Sequence, residues 1–234
     1  MEIAGTIAWR TLGALAPGNQ DTKSKSSDCP ICSGTGWYRV EGGDAVVRCE
    51  CAKARILDMR MHRLFNEFRA FEQVDLDALV PRDKLQADTL QLLRANPSSS
   101  YFICGARYGC GKTQLLVSQC MQLALAGERV AIRTSRQLVK ELQQAELDPE
   151  FFSEILEAVS SADQFHLFWD DCEKVGNQSD FRQEAIFNLI DTIYRRRLSI
   201  TITSNLDLQR LVDTGRMLSA VARRIDDMCK PIQL

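Results

Sequence analysis

The spacing of hydrophobic positions changes along the chain, and the change predicts two kinds of region. Residues 52–71 and 81–97 carry apolar side chains at helical spacing, which predicts two helices. From Tyr101 onward, short apolar runs alternate with longer helical patterns. Strands that alternate with helices in this way predict a parallel sheet with helices on both faces.

The alternating region contains five predicted strands and six predicted helices. The strands are expected at residues 101–106, 129–134, 165–171, 199–205 and 230–234. The helices are expected at residues 112–127, 136–145, 148–162, 181–197, 206–215 and 219–229. Asp148 as a cap and Pro149 at the first helical position mark the start of the third helix. The fold class is therefore α/β.

The composition is that of a soluble globular protein and restricts the function classes. The 234 residues are 45% hydrophobic and 26% charged, enough for one core and a small appendage. With a net charge of −2, nucleic-acid binding would need a local basic patch. No window approaches the roughly 18 unbroken apolar residues of a membrane span, and Glu2 does not fit a secretory signal. We therefore expect a cytoplasmic protein with no membrane partner.

Residues 106–113, ARYGCGKT, match a phosphate-binding loop between a predicted strand and a predicted helix. Gly109 and Gly111 let the backbone turn so that successive N–H groups face phosphate oxygens, and the helix N-terminus adds positive charge. Lys112 is expected to reach the β- and γ-phosphates of ATP, and Thr113 to bind Mg²⁺. The residues expected to contact ATP or ADP are Tyr108, Gly109, Cys110, Gly111, Lys112, Thr113 and Gln114.

An apolar run that ends in two acids supplies the second half of a Mg²⁺ site. Asp170 and Asp171 end the predicted strand at 165–171. At the C-terminal end of a parallel strand, Asp170 would lie beside the phosphate loop and hold Mg²⁺. Asp171 would then polarise the attacking water. Many ATPases carry glutamate there, so the shorter Asp171 predicts slow hydrolysis unless the local geometry compensates.

Two later polar positions complete the expected catalytic set. Asn205 ends the run at 199–205, where its amide is expected to hydrogen-bond the γ-phosphate or the attacking water. Arg224, with Arg223 as the alternative, is expected to reach a neighbouring subunit's nucleotide and stabilise the transition state. The expected catalytic residues are Lys112, Asp170, Asp171, Asn205 and Arg224.

Four of the nine cysteines are clustered as C-x-x-C and C-x-C, at Cys29, Cys32, Cys49 and Cys51. The odd total and the clustering argue against a secreted disulfide framework. Four thiolates satisfy a tetrahedral Zn²⁺, and an all-cysteine set predicts a closed structural site. The metal would supply the folding energy that so small a segment lacks. A redox pair or unlinked thiols are the alternatives.

Contacts to DNA have several candidates but no distinct motif. Phosphates would need basic side chains, and aromatic rings could stack on bases. The basic candidates are Lys53, Arg55, Arg60, Arg63, Arg195, Arg196 and Arg197. The aromatic candidates are Trp37, Tyr38 and Phe65. Solvated helix faces and core packing are the competing explanations.

The phosphate loop, the acidic strand end and the segments ITITSNLDLQRL and ARRIDDMC occur in the order and spacing of AAA+ ATPases. The chain resembles bacterial and phage replicative-helicase loaders of the DnaC and DnaI type, with the IstB-like transposition ATPases close by. The resemblance covers roughly residues 75–234. It implies an AAA+ parallel sheet flanked by helices, without a C-terminal helical lid. Some helicase loaders also carry a zinc-binding N-terminal domain.

The resemblance also implies partners. Loaders of this type dock on a ring-shaped, hexameric replicative helicase, bind single-stranded DNA and assemble side by side, with ATP binding and hydrolysis as the switch. The resemblance implies a bacterial or phage-encoded protein.

These motifs and a polar stretch at residues 17–28 divide the chain into four expected parts. They are an N-terminal segment and flexible linker at 1–28, a zinc-binding module at 29–52, a connecting helix at 53–74 and an AAA+ ATPase domain at 75–234.

Three other functions remain open from the sequence. A transposition ATPase of the IstB type would oligomerise on duplex DNA and bind a transposase. A non-hydrolysing adaptor would bind its partner through the zinc module and use ATP only to stabilise its fold. A nucleotide kinase would need an acceptor pocket and an arginine-rich lid, for which no segment is visible.

Overall fold

The structure is a computed structural model that describes residues 29–40, 43, 45–71, 76–148, 150, 151, 153–175 and 180–234. The expected N-terminal segment and linker at residues 1–28 lie outside the described residues. The chain separates into two compact units that divide after Ile56. In the described part of the chain, no helix is long and apolar enough to cross a membrane.

The smaller unit contains a two-stranded hairpin that the sequence did not predict. Strands β1 (Trp37–Arg39) and β2 (Val46–Arg48) pair antiparallel, and Trp37 lies opposite Arg48. Each strand has only three residues, which is too short for a periodic pattern. Helix α1 (Glu50–Leu64) follows the hairpin.

The larger unit follows the predicted alternation of strands and helices. Its strands are β3 (Tyr101–Cys104), β4 (Val130–Thr134), β5 (His166–Asp170), β6 (Ser199–Ser204) and β7 (Lys230–Gln233). Its remaining helices are α2 (Lys84–Ala95), α3 (Lys112–Leu125), α4 (Ser135–Leu147), α5 (Glu154–Ser161), α6 (Asp180–Arg195), α7 (Leu208–Asp213) and α8 (Ser219–Met228). Two short 3₁₀ helices cover Asn66–Phe71 and Cys172–Val175.

The five strands form one parallel sheet in the order β4-β5-β6-β3-β7. Strands β3 and β5 are buried along their whole length, as expected for strands covered on both faces. The predicted parallel sheet flanked by helices is therefore confirmed. Because all strands run in one direction, the loops that follow β3, β5 and β6 meet at the same edge.

Two predicted helix boundaries are wrong. Helix α5 begins at Glu154, not at residue 148, because the Ser153 side chain accepts a hydrogen bond from the Leu156 N–H at 3.1 Å and caps it there. Asp148 instead closes α4, and its N–H donates to the Gln144 carbonyl. Pro149 lies outside the described residues.

The predicted helix at 52–71 is also interrupted. Helix α1 ends at Leu64, and the 3₁₀ helix follows with non-helical backbone angles at Phe68. Phe65 and Phe68 are buried in a hydrophobic cluster with residues of α3. The break turns both rings into that cluster, which a continuous amphipathic pattern cannot reveal.

Candidate functional site

The carboxyl edge of the sheet brings the expected nucleotide-binding segments together. The phosphate loop follows β3, Asp170 is the last residue of β5 with Asp171 directly after it, and Asn205 follows β6. Strand β6 lies between β3 and β5. Ligands in open parallel sheets bind at this edge, so these segments share one candidate nucleotide site.

Glycines shape the loop at two places. Gly111 has a φ of 94° and is the N-cap of α3, a backbone conformation that favours glycine. A Cβ on Gly105 would lie 2.4 Å from the Leu234 carbonyl oxygen, so a side chain at this position would collide with the Leu234 backbone. The first N–H groups of α3 have no intrahelical partners and can bind phosphate oxygens.

Lys112 is 7% exposed and turns its ammonium into the loop. Its Nζ donates to the Gly105 carbonyl oxygen at 2.8 Å and to the Arg107 carbonyl oxygen at 3.4 Å. The Cys110 sulfur also lies 3.4 Å from Nζ. Tyr108 is exposed, so its ring is available to a ligand. The loop therefore wraps around the lysine that is expected to bind phosphates.

Two side chains before and within α2 hold the loop from outside, and sequence reasoning missed both. Arg82 donates to the Gly109 carbonyl oxygen at 3.0 Å, and Gln86 donates to the Cys110 carbonyl oxygen at 2.6 Å. Both contacts satisfy backbone carbonyls of the loop. No local sequence signal marks such long-range contacts.

Thr113 and Asp170 form the expected oxygen pair for Mg²⁺. The Thr113 hydroxyl lies 3.0 Å from Asp170 Oδ1. Adjacent ligands of an octahedral Mg²⁺ at about 2.1 Å lie roughly 3 Å apart. The two oxygens therefore fit the group, and they would hold it beside the phosphate loop.

The surroundings of Asp170 favour a bound cation. Burial raises the pKa of the Asp170 carboxyl, and the charge of Asp171 raises it further. Hydrogen bonds from Thr203, at 2.6 Å, and from Thr113 act in the opposite direction. A divalent cation at this carboxylate would offset the cost of its buried charge. Thr203 is a further site residue that the prediction did not include.

Asp171 differs from Asp170 in its backbone conformation and in its hydrogen-bond partners. Asp171 has a φ of 54°, and its N–H donates to the Thr203 hydroxyl at 2.9 Å. Its carboxylate pairs with Lys174. In this conformation Lys174 competes with any water that Asp171 would polarise.

Asn205 hydrogen-bonds a buried carboxylate that the sequence prediction overlooked. Its amide donates to Glu173 Oε1. Glu173 is 6% exposed, and among the described residues its Oε2 has no hydrogen-bond partner. Arg216 donates to the Glu173 backbone carbonyl at 2.7 Å. The acids DDCE in the sequence could have indicated Glu173, but their spacing alone does not show which ones are buried.

Arg224 lies in α8 with partners of its own chain. Its guanidinium contacts the Asp191 carboxylate at 2.7 Å and lies over the Phe187 ring, 4.6 Å from the centroid. Its side chain is 24% exposed, and its neighbour Arg223 is exposed. The structure does not place Arg224 together with the phosphate loop, the acids and Asn205.

The smaller unit brings the four predicted cysteines together. Their sulfur atoms all lie within 4.8 Å of one another. The Cys29 and Cys49 sulfurs are 3.7 Å apart, and the Cys32 and Cys51 sulfurs are 3.4 Å apart. Zinc–sulfur bonds of about 2.3 Å in a tetrahedron separate the sulfurs by about 3.8 Å. The four thiols therefore fit Zn²⁺.

The pKa values of these thiols are also consistent with a metal site. Burial opposes ionisation of Cys32, but hydrogen bonds from the Cys51 thiol and the Gly36 N–H lower its pKa to about 6. Hydrogen bonding to Cys32 raises the pKa of Cys51 to about 12. The cluster without metal therefore keeps some of its protons, and a bound cation would release them.

The candidate DNA contacts separate into buried and exposed groups. Phe65 is 1% exposed and cannot stack on a base. Arg60 donates to the Glu128 carbonyl oxygen and Arg196 to the Val159 carbonyl oxygen, both at 2.6 Å, so both have intrachain partners. Trp37 is 49% exposed and stays available.

Comparison with known proteins finds likeness at the level of the fold. No protein-family model matches this sequence, and no curated protein matches it. A crystal structure of the DnaC helicase loader is similar, with a TM-score of 0.60 and 22% identity, over 70% of this chain and 98% of that one. A crystal structure of DnaI has a TM-score of 0.58 and 18% identity, over 70% of this chain and 93% of that one.

The replication initiator DnaA shares the same core. AMPPCP-bound DnaA from Aquifex aeolicus has a TM-score of 0.58 and 18% identity over 69% of this chain. The match spans half of that DnaA chain. Over about 70% of its length, this chain therefore shares the fold of the DnaC and DnaI helicase loaders and of part of DnaA.

Proposed function

We propose that this protein is an ATP-dependent loader of a ring-shaped replicative helicase onto single-stranded DNA. The observation that carries the proposal is the convergence of Lys112, Thr113 and Asp170 at one sheet edge, in a fold similar to helicase loaders. A DnaA structure of the same fold holds single-stranded DNA, which supports that ligand class here.

In the proposed site, each residue has a distinct task toward ATP. The α3 N-terminus and Lys112 bind the phosphates, because both present N–H donors and positive charge. Thr113 and Asp170 hold Mg²⁺, which neutralises developing charge on the phosphates. Asp171 orients the attacking water once Lys174 moves aside. The Asp171–Lys174 ion pair therefore makes hydrolysis slow until a partner changes this loop.

The proposed switch also involves Arg224. Asp191 holds this arginine inside its own chain at 2.7 Å, so reaching a neighbour's nucleotide requires that contact to break. An assembly that offers phosphate charge in place of Asp191 would stabilise the exchange. Hydrolysis is then coupled to assembly of neighbouring copies on the helicase.

The test is ATP turnover by the purified protein, alone and with single-stranded DNA, duplex DNA or the replicative helicase of its source. Lys112→Ala is the blank, and Lys84→Ala, an exposed lysine in α2, is the matched control. We expect stimulation by single strands, a further change with helicase, and no turnover in the blank. Stimulation by duplex alone would support a transposition ATPase instead.

A second function is favoured by the Asp171–Lys174 ion pair. If this pair never opens, the protein is a non-hydrolysing adaptor that uses ATP only to order its fold. Asp171→Asn separates the two functions because it removes the carboxylate charge and keeps the side-chain shape. Helicase loading that survives in Asp171→Asn would support the adaptor, and its loss with ATP binding intact would support the switch.

A further inference from the structure

The outer face of the β1–β2 hairpin carries an aromatic ring between two arginines. Side chains of directly opposite residues lie on the same face of an antiparallel pair, and alternate residues share a face. Trp37 lies opposite Arg48, and Arg39 lies opposite Val46. Trp37, Arg39, Val46 and Arg48 therefore form one face, and all four are exposed.

This face exposes large apolar side chains to solvent and has an open cleft beside it. Trp37 is 49% exposed and Val46 is 54% exposed, although large apolar side chains gain free energy by burial. The Arg48 guanidinium lies 4.9 Å from the centre of the Trp37 ring and orients it. An open cleft of about 560 Å³ beside β1 is lined by Ile31, Trp37 and Arg39, among others.

The charge of the face selects the kind of partner. Strands β1 and β2 carry two arginines and no acid, in a protein whose net charge is −2. Glu41 and Asp44 lie between the two strands in the sequence, outside the described residues. Positive side chains beside an exposed aromatic ring match the backbone charge and the base surface of an unpaired strand.

We propose that the hairpin face, defined as Trp37, Arg39, Val46 and Arg48, binds single-stranded DNA, with a base stacked on Trp37 and phosphates paired with the two arginines. The proposal rests on the proposed function for its choice of DNA. It gives the four-cysteine unit a role beyond its own folding. The loop that carries Cys32 supports β1 directly, because the Gly36 N–H, one residue before the strand, donates to Cys32 Sγ at 3.3 Å.

The test is the affinity of the full-length, zinc-loaded protein for a fluorescein-labelled oligothymidylate, measured by anisotropy without nucleotide or helicase. Trp37→Ala should weaken binding about fivefold or more, the usual effect of removing a stacking ring. Trp37→Phe keeps a ring and should restore most of the affinity. Zinc content and circular dichroism check that each variant is folded.

The arginines are tested by salt dependence, which a merely structural role would not change. Arg39→Gln and Arg48→Gln should each reduce the slope of log affinity against log salt by roughly 0.7, the value for one phosphate contact on a single strand. Arg69→Gln, an exposed arginine of the larger unit, is the matched control and should leave the slope unchanged.

Three outcomes would overturn the proposal. Wild-type affinity in Trp37→Ala and in both glutamine variants would show that DNA binds elsewhere, and the proposed function would stand. Loss of helicase binding in Trp37→Ala, with DNA affinity unchanged, would make the face a protein-docking surface. No binding of single strands by the wild type would overturn it too, while helicase-stimulated ATP turnover would still support the loader.

Discussion

The candidate nucleotide site of the larger unit and the four-cysteine cluster of the smaller unit both bring together side chains from separate segments, but different forces hold them. The loops at the sheet edge extend from strands buried on both faces, and their polar groups bond to one another. The cluster has little apolar surface to bury: β1 is exposed along its length, and among the described residues of the unit the buried apolar side chains are Cys32, Cys49 and Ala52.

The two sites are therefore stabilised in different ways. In the larger unit, many small contributions add up, so no single polar contact decides whether the site exists. In the smaller unit, one metal ion would take the place of a hydrophobic core, so loss of the metal site would also unfold the unit. A single substitution at the metal site should therefore unfold the smaller unit. A single substitution at the sheet edge should weaken ligand binding and leave the larger unit folded.

The largest expected effect comes from replacing one of the four clustered cysteines. Cys49→Ser should remove bound zinc and unfold the smaller unit, because structural zinc contributes about 10–16 kcal/mol in small zinc modules. The β3–β7 sheet should persist. Zinc analysis and hydrogen exchange of the β1 and β2 amides measure the effect. Cys110→Ser, in the phosphate loop, should keep full zinc, and a zinc-free protein with protected hairpin amides would contradict the account.

The second effect separates function from fold in the larger unit. Asp170→Asn should lower Mg²⁺-dependent ATP affinity at least about tenfold, the size of one charged hydrogen-bonding contact. The free energy of unfolding without Mg²⁺ should be unchanged or about 1 kcal/mol higher, because burial raises the pKa of this carboxyl and its charge is costly. Titration calorimetry and urea unfolding measure the two quantities. Strong destabilisation would show that the carboxylate is structural.

The third effect is a pH dependence from the core of the larger unit. Burial lowers the pKa of His166 to about 3, whereas an unfolded histidine titrates near 6.5. The unfolded chain then binds a proton that the folded chain does not, so stability falls as the pH drops below about 6.5. Between pH 7 and pH 5 this loss is about 2 kcal/mol.

The matched variants are His166→Gln and His62→Gln, which change the two histidines of the sequence. Unfolding by urea at several pH values should show a shallower pH dependence in His166→Gln. His62 is exposed on α1, and His62→Gln is the control that removes the other histidine. Identical slopes in all three proteins would mean that His166 accepts a proton while folded.

The smallest effect belongs to a helix cap. Thr134 caps α4, and its hydroxyl and the Gln137 side chain satisfy each other's backbone N–H groups. Thr134→Ala should cost about 1 kcal/mol of unfolding free energy and leave zinc content unchanged. Ser161→Ala, at the exposed end of α5, is the control and should cost less. A loss of several kcal/mol would contradict the view that stability here is widely distributed.

The sequence predicted the sheet and the main candidate site because both follow short-range rules. A buried apolar run that ends in Asp170, and a glycine loop that opens a helix at Lys112, are patterns within a few residues. The contacts that hold these segments in place join residues that are far apart in the sequence. Gln86 bonds the loop from 24 residues away, and Thr203 bonds Asp170 from the neighbouring strand β6.

Other misses have the same physical cause. The start of α5 depended on whether Asp148 or Ser153 capped the helix, and both residue types are good caps. The burial of Phe65 depended on a cluster made with α3. The roles of all the expected site residues stay predictions, and those of Arg224, Asn205 and Asp171 depend in addition on a nucleotide and on neighbouring copies.

The most direct test of the central claim is helicase loading onto closed circular single-stranded DNA, which has no end for a ring to thread. The ring-shaped helicase is mixed with circular DNA, ATP and this protein, and DNA-bound helicase is measured after gel filtration. The account predicts that loading requires ATP and fails with Lys112→Ala. Equal loading with Lys112→Ala, or without this protein, would contradict it.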